Sequence, residues 1–398
     1  MPAAALPFVL AMCLAEVLGM LSFATFQALI PTFVEAWRLS NTEAGWISGV
    51  YFAGYVGAVP LLASLTDRID PRRVLAFSLV LGGAASVGFA LWADGFWTAL
   101  AFRTLHGIGL AGTYMPALKA LSDRVEGPRQ SRYVSFYTSS FGIGASLSFV
   151  LAGWAAEALG WRWAFAVTAI GSALAIALTF AVLPRGAPAA HPATRLLDFR
   201  PVLGNRAALG YILGYFGHNW ELFAFRSWAV AFLVHAEAAS GGRFAIAPTA
   251  IAAAATLLGV PSSIFGNELA VRMGRRRLIV WVALASVAVS LVIGISTDLA
   301  AGLAVALCLI YGILLTGDSA ALTAGTVAVA VPRLRGATLA LHAFIGFMGG
   351  MFGPLAVGAV LDATGGATGL GWWLGFAAMG AGSAFALAAV LLLARDRA

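Results

Sequence analysis

Apolar residues run along the whole chain in long stretches, each closed by a cluster of charged residues, proline or glycine. Cutting at those clusters leaves twelve stretches long enough to cross a bilayer as a helix, since about 20 residues at roughly 1.5 Å rise match the ~30 Å hydrocarbon core. Predicted spans 1 to 6 cover 6–33, 43–66, 74–93, 96–120, 133–158 and 161–183. Spans 7 to 12 cover 207–234, 247–270, 278–296, 299–327, 336–361 and 370–394. One linker-like stretch, 184–206, is rich in Pro and Arg and lies near the midpoint. It separates an N-terminal half, 1–183, from a C-terminal half, 207–398. The first run lacks a basic leader and is too long for a signal-peptide core, so it reads as an uncleaved membrane helix.

Composition agrees with this pattern. The 398 residues are 61% hydrophobic and 10% charged, with a mean hydropathy of +0.91. Soluble domains carry about 25% charged residues, so the expected class is an all-α membrane protein. The net charge of +7 does not indicate nucleic acid, because the arginines sit in short clusters between spans rather than on one face. They obey an orientation rule instead. One side holds Arg68, Arg72, Arg73, Lys119, Arg124, Arg129, Arg132, Arg185, Arg195, Arg200, Arg206, Arg272, Arg275, Arg276, Arg277, Arg333, Arg335, Arg395 and Arg397. The other holds only Arg38, Arg162 and Arg243. A 19-to-3 split places both termini and the linker in the cytoplasm and requires an even number of spans. The single lysine among the basic residues suits a GC-rich bacterial genome, hence an inner membrane. Cys13 and Cys308 lie inside apolar runs and read as small buried side chains, with no disulfide or metal spacing.

The halves repeat. Arg68 and Arg272 are 204 residues apart, as are Pro128 and Pro332. Gly153 and Gly358, Glu157 and Asp362, and Glu16 and Glu221 are each 205 apart. One register held across most of a six-span unit implies two parallel six-helix bundles related by pseudo-symmetry, with a site between them.

The loops that carry this repeat resemble those of a known family. Asp67-Arg68-Ile69-Asp70-Pro71-Arg72-Arg73 is similar to the Asp-Arg-x-Gly-Arg-Arg signature between helices 2 and 3 of the major facilitator superfamily. Val271-Arg272-Met273-Gly274-Arg275-Arg276 is a second copy, with Val271 where the acid would be. In the first copy Asp70 and Pro71 replace Gly-Arg. Arg103-Thr104-Leu105-His106-Gly107 resembles the Arg-x-x-Gln-Gly of helix 4, with His106 in the Gln position. The Gly-Pro pattern that marks helix 5 of many drug–proton antiporters is missing from 141–153. The resemblance implies the twelve-helix fold, alternating access, and a cytoplasmic gate loop carried here by Asp67, Arg68, Arg72, Arg272 and Arg276.

An ionisable residue in the bilayer core is costly and therefore a functional candidate. Glu16 lies on span 1, Arg103 and His106 on span 4, His218, Glu221 and Arg226 on span 7, and Asp318 on span 10. In the resembled family those four helices line the central cavity. His218, Glu221, Phe225 and Trp228 share one stripe of span 7. Glu221 sits about 21 Å from the inner end, near mid-depth, which suits an acid that takes up and releases protons. Arg226 is roughly 140° around the helix from Glu221, so it needs a partner elsewhere. Arg103 reads either as a structural cation paired with Glu16 or Asp318, or as a reader of substrate charge. His342 reads as a packing residue.

These residues predict a monomeric secondary transporter moving a small solute by alternating access, with protons as the coupling ion. Alternatives are a drug or metabolite efflux antiporter, a small organic-anion importer, or a non-transporting assembly or delivery factor on the same fold. No nucleophile–base pair, phosphate loop or metal spacing points to enzyme chemistry or a cofactor.

Overall fold

The computed structural model describes residues 5–66, 68–122, 124–125, 130–183, 199–242, 244–296 and 300–394. The described residues form helices and turns, without strands. In chain order the α-helices are α1 (Ala5–Gly19), α2 (Thr25–Ala28), α3 (Ile30–Trp37), α4 (Asn41–Leu65), α5 (Pro71–Trp92), α6 (Phe96–Ala111), α7 (Tyr114–Ser122), α8 (Gln130–Leu159) and α9 (Trp161–Val182). There follow α10 (Arg200–Leu203), α11 (Arg206–Ala239), α12 (Pro248–Met273), α13 (Arg275–Ile293), α14 (Ala301–Gly317), α15 (Ser319–Val329), α16 (Arg335–Ala363) and α17 (Gly369–Leu393). Ten segments are long and apolar enough to cross a membrane, counting Gly302–Val329 as one. The other two predicted spans, 6–33 and 96–120, are present but assembled from shorter helices. All-helical architecture with spans of this length follows from the bilayer, where every backbone polar group must be satisfied within the chain.

Local sequence sets the ends. Asp70 caps α5 by accepting from the Arg72 backbone N–H at 3.0 Å, and Pro71 fills the first helical position, where no N–H is needed. That explains the Asp-Pro in the first loop signature. Ser40 and Glu43 form a reciprocal capping box on α4, with bonds of 2.9 and 3.1 Å. Asn205 caps α11 and Thr368 caps α17. Gly274, between α12 and α13, has φ of 92°, a left-handed value that a side chain would strain.

Two compact units result. One takes in the described residues of Met1–Leu29 and Val50–Thr194, the other Ile30–Gly49 and the described residues of Arg195–Ala398. The boundary therefore falls inside α4. The first unit buries Val9, Met12, Leu75, Leu121 and Tyr137 in one cluster. The second buries Tyr211, Leu278, Leu322 and Val390. Large apolar side chains such as Trp97, Phe265 and Leu392 remain on the surface, as a lipid-facing exterior requires.

In the second unit the start of α4 lies against α16. A Cβ on Gly45 or Gly49 would overlap the backbone of Pro354 or Met351, so these glycines permit direct helix contact. At the end of that seam Asp362 accepts four bonds: from the Asn41 and Thr42 backbone N–H groups at 3.0 and 2.8 Å, and from their side chains at 2.8 and 2.6 Å. The sequence repeat had marked Asp362 only as the mate of Glu157.

Candidate functional site

Three of the spans that carry buried charge are interrupted. Span 4 breaks at Gly112 and Thr113, between α6 and α7. Pro116 has no N–H to offer the Gly112 carbonyl, which favours the break. Span 10 breaks at Asp318, between α14 and α15. Thr113 and Asp318 are 205 residues apart, so the two breaks share one position in the repeat. Span 1 loosens between Gly19 and Thr25, where bonds such as Phe23 N–H to the Met20 carbonyl (2.9 Å) tighten the turn. Span 7, by contrast, is one helix, α11.

In the first unit the loosened stretch of span 1 receives both ionisable residues of α6, Arg103 and His106. The Ser22 hydroxyl and His106 Nε2 are 2.9 Å apart. Arg103 is 1% exposed, and its Nη1 lies 3.5 Å from the Phe23 carbonyl oxygen. Gln27, with its amide oxygen turned to the guanidinium, accepts from Nη2 at 2.9 Å. The guanidinium also lies over the Tyr51 ring, 4.4 Å from its centroid. Glu16 is buried, and its Oε2 accepts from the Tyr137 hydroxyl at 2.8 Å. Its other oxygen and the Thr179 hydroxyl have no hydrogen-bond partner among the described residues, and both residues line one small cavity. Arg103 is thus a cation held by a carbonyl, an amide and an aromatic face. Among the described residues no ion pair joins it to Glu16, one of the two partners the sequence offers.

The second unit separates residues that span 7 places on one stripe. His218 Nδ1 is 2.9 Å from Asp318 Oδ1, at the break in span 10. Tyr215 stacks on that histidine and on His342, with centroids 5.5 and 4.1 Å apart. His342 is in turn bonded to Thr326 at 3.0 Å. Glu221 faces elsewhere. Its Oε1 accepts from Ser286 at 3.0 Å and Tyr311 at 2.6 Å, and its Oε2 accepts from Ser383. Those hydroxyls come from α13, α14 and α17. Arg226 is buried beside Phe223, with its guanidinium 5.7 Å from the ring centroid.

The loop residues act inside each unit. Arg72 bonds Asp70 at 3.0 Å and donates to the Leu183 carbonyl at 3.3 Å. Arg276, 204 residues on, donates to the Leu391 carbonyl at 3.1 Å. Each arginine therefore caps the closing turn of the last helix in its half. Arg272 pairs with Glu268 on the exposed face of α12 at 3.0 Å. Arg68 is exposed, and Asp67 lies outside the described residues.

Sequence reasoning passed over Ser22, Gln27, Ser286 and Ser383. The repeat contained one usable signal: Tyr311 is 205 residues from His106. Each bonds a polar side chain on the first span of its half: His106 with Ser22, and Tyr311 with Glu221.

These features define a polytopic all-helical membrane protein built on a repeated half. The sequence matches the Major Facilitator Superfamily over residues 12–354, and the chain belongs to that family of transporters. Among curated relatives, "Probable sphingolipid transporter spinster homolog 1" of Arabidopsis thaliana is 29% identical over 147 residues, 37% of this chain and 30% of that one. "Protein spinster homolog 1" of Homo sapiens is 23% identical over 242 residues, 58% of this chain and 46% of that one. The matched region thus spans less than half the length of either relative. The fold is similar to the crystal structure of a bacterial homologue of the human lysosomal transporter Spinster in an inward-facing and unoccupied conformation. The TM-score is 0.75 at 16% identity, covering 98% of this chain and 96% of that one. It is also similar to the nucleoside transporter NupG, with a TM-score of 0.73 at 15% identity, covering 98% and 100%.

Proposed function

We propose that this transporter is a proton-coupled secondary carrier of a small solute, and that His218 with Asp318 forms its coupling site. The pair at 2.9 Å carries the reading. A buried imidazole bonded to a carboxylate can hold a proton in either of two places with little rearrangement. Asp318 also stands at a helix break, where a change in its charge is felt by both α14 and α15. Membrane-embedded ionisable pairs of this kind mark proton pathways. Glu221, which its depth in span 7 favoured for the role, is bonded instead to the hydroxyls of Ser286, Tyr311 and Ser383. The 19-to-3 asymmetry of lysine and arginine supports an inner-membrane orientation with both termini cytoplasmic. The spinster relatives and NupG suggest sphingolipids and nucleosides as first solutes to try, alongside organic acids.

The test is transport into proteoliposomes of a panel drawn from those three classes, under an imposed pH gradient. Wild type should accumulate its solute against a concentration gradient. Asp318→Asn should abolish that accumulation, at least tenfold, yet keep solute exchange at equal pH. Accumulation by wild type that ignores the pH gradient would sink the proton coupling.

A further inference from the structure

We propose that Arg226 is an anion-recognition residue, and that the transported solute carries a carboxylate or phosphate group that docks on it. The inference rests on the reading of the protein as a carrier. Arg226 is 8% exposed, and among the described residues no hydrogen bond or ion pair satisfies its guanidinium. Its helix, α11, has 34 residues. Arg226 stands five residues, about 7.5 Å of rise, to the outer side of Glu221 on it.

The two buried acids of the same unit are already engaged. Glu221 accepts from Ser286, Tyr311 and Ser383, and Asp318 is bonded to His218. The contrast with Arg103 is direct: that guanidinium has a carbonyl, an amide oxygen and a close aromatic face. A buried guanidinium without such support is destabilising unless an anion completes it.

Arg226 also faces a crevice. Leu222, Phe225, Ala255, Thr256 and Thr316 line it with Arg226. The hydroxyls of Thr256 and Thr316 donate to the carbonyls of Ala252 and Gly259, both at 2.9 Å. The guanidinium is left as the hydrogen-bond donor among these lining side chains. A planar fork of N–H groups beside this crevice matches the geometry of an oxyanion.

The test uses the full-length protein in detergent and two matched probe pairs, benzoate with benzamide and phenyl phosphate with phenol. At least one acid should raise the wild-type unfolding midpoint while its neutral partner does not. Arg226→Met should remove that effect, and Arg226→Lys should weaken acid binding about tenfold. Without ligand, Arg226→Met should unfold at a higher temperature than wild type, because it deletes an unpartnered charge, whereas Arg103→Met should unfold at a lower one. Acid and neutral probes acting alike on wild type, or an acid effect that survives in Arg226→Met, would overturn the proposal. So would a ligand-free Arg226→Met no more stable than wild type. Stabilisation by phosphatidylglycerol micelles but by neither acid would also overturn it, assigning Arg226 to a lipid headgroup. These readouts do not depend on a pH gradient, so proton coupling can fail while anion discrimination stands.

Discussion

Tyr311 and Ser286 both donate to one oxygen of Glu221, and Ser383 donates to the other. A carboxyl so enclosed is expected to contribute mainly to packing three helices around α11. Tyr311→Phe would leave Oε1 with Ser286 alone and should cost about 1 kcal/mol, read as a lowered denaturation midpoint. Glu221→Gln should keep pH-driven accumulation within about threefold of wild type, because serine and tyrosine hydroxyls can rotate to accept from an amide. Loss of accumulation in that variant would return the coupling role to Glu221. The identity of the buried charges was legible in the sequence, because an ionisable residue in an apolar run is visible without a structure. Their partners were not. A helical wheel gives Glu221 a direction on α11, but which of α13, α14 and α17 supplies a hydroxyl there depends on packing between distant segments.

Helix lengths were legible for the same reason that charges were: the bilayer fixes them. The interruptions were harder, since they lie within continuous apolar sequence. Span 4 carried a hint in Pro116, and span 10 in the run Gly317-Asp318-Ser319. Span 1 offered only Gly19. Close packing between elements depends on positions that no periodicity marks. A Cβ on Gly107 would stand 1.8 Å from the Tyr51 carbonyl oxygen, with no side chain there to move aside. Gly107→Val should therefore push α6 away from α4 and disturb the Tyr51 face under Arg103. The expected cost is about 2–4 kcal/mol, as overpacking plus a displaced buried cation. Thermal unfolding of the purified variant checks this, and a midpoint within a degree of wild type would contradict it.

At the scale of the molecule, the charge asymmetry and the 204-to-205-residue repeat were both readable, and with the loop signatures they sufficed to indicate the family. The grouping of Ile30–Gly49 with the described residues of Arg195–Ala398 was less visible, because the chain enters that segment from span 1. Its attachment depends on small residues and on Asp362, none of which stands out in sequence. Asp362→Ala removes four bonds from the start of α4. Hydrogen exchange at the Asn41 and Thr42 amides should then quicken at least tenfold while α16 stays protected.

Because α4 is one unbroken helix with its first turns in one unit and its remainder in the other, it is a natural position for a gauge. Lifting its first turns away from Asp362 would break four hydrogen bonds at one place. A donor and acceptor dye placed near the two ends of that contact would turn such lifting into an optical signal. Opening of that contact could then be followed on single molecules before the solute is known.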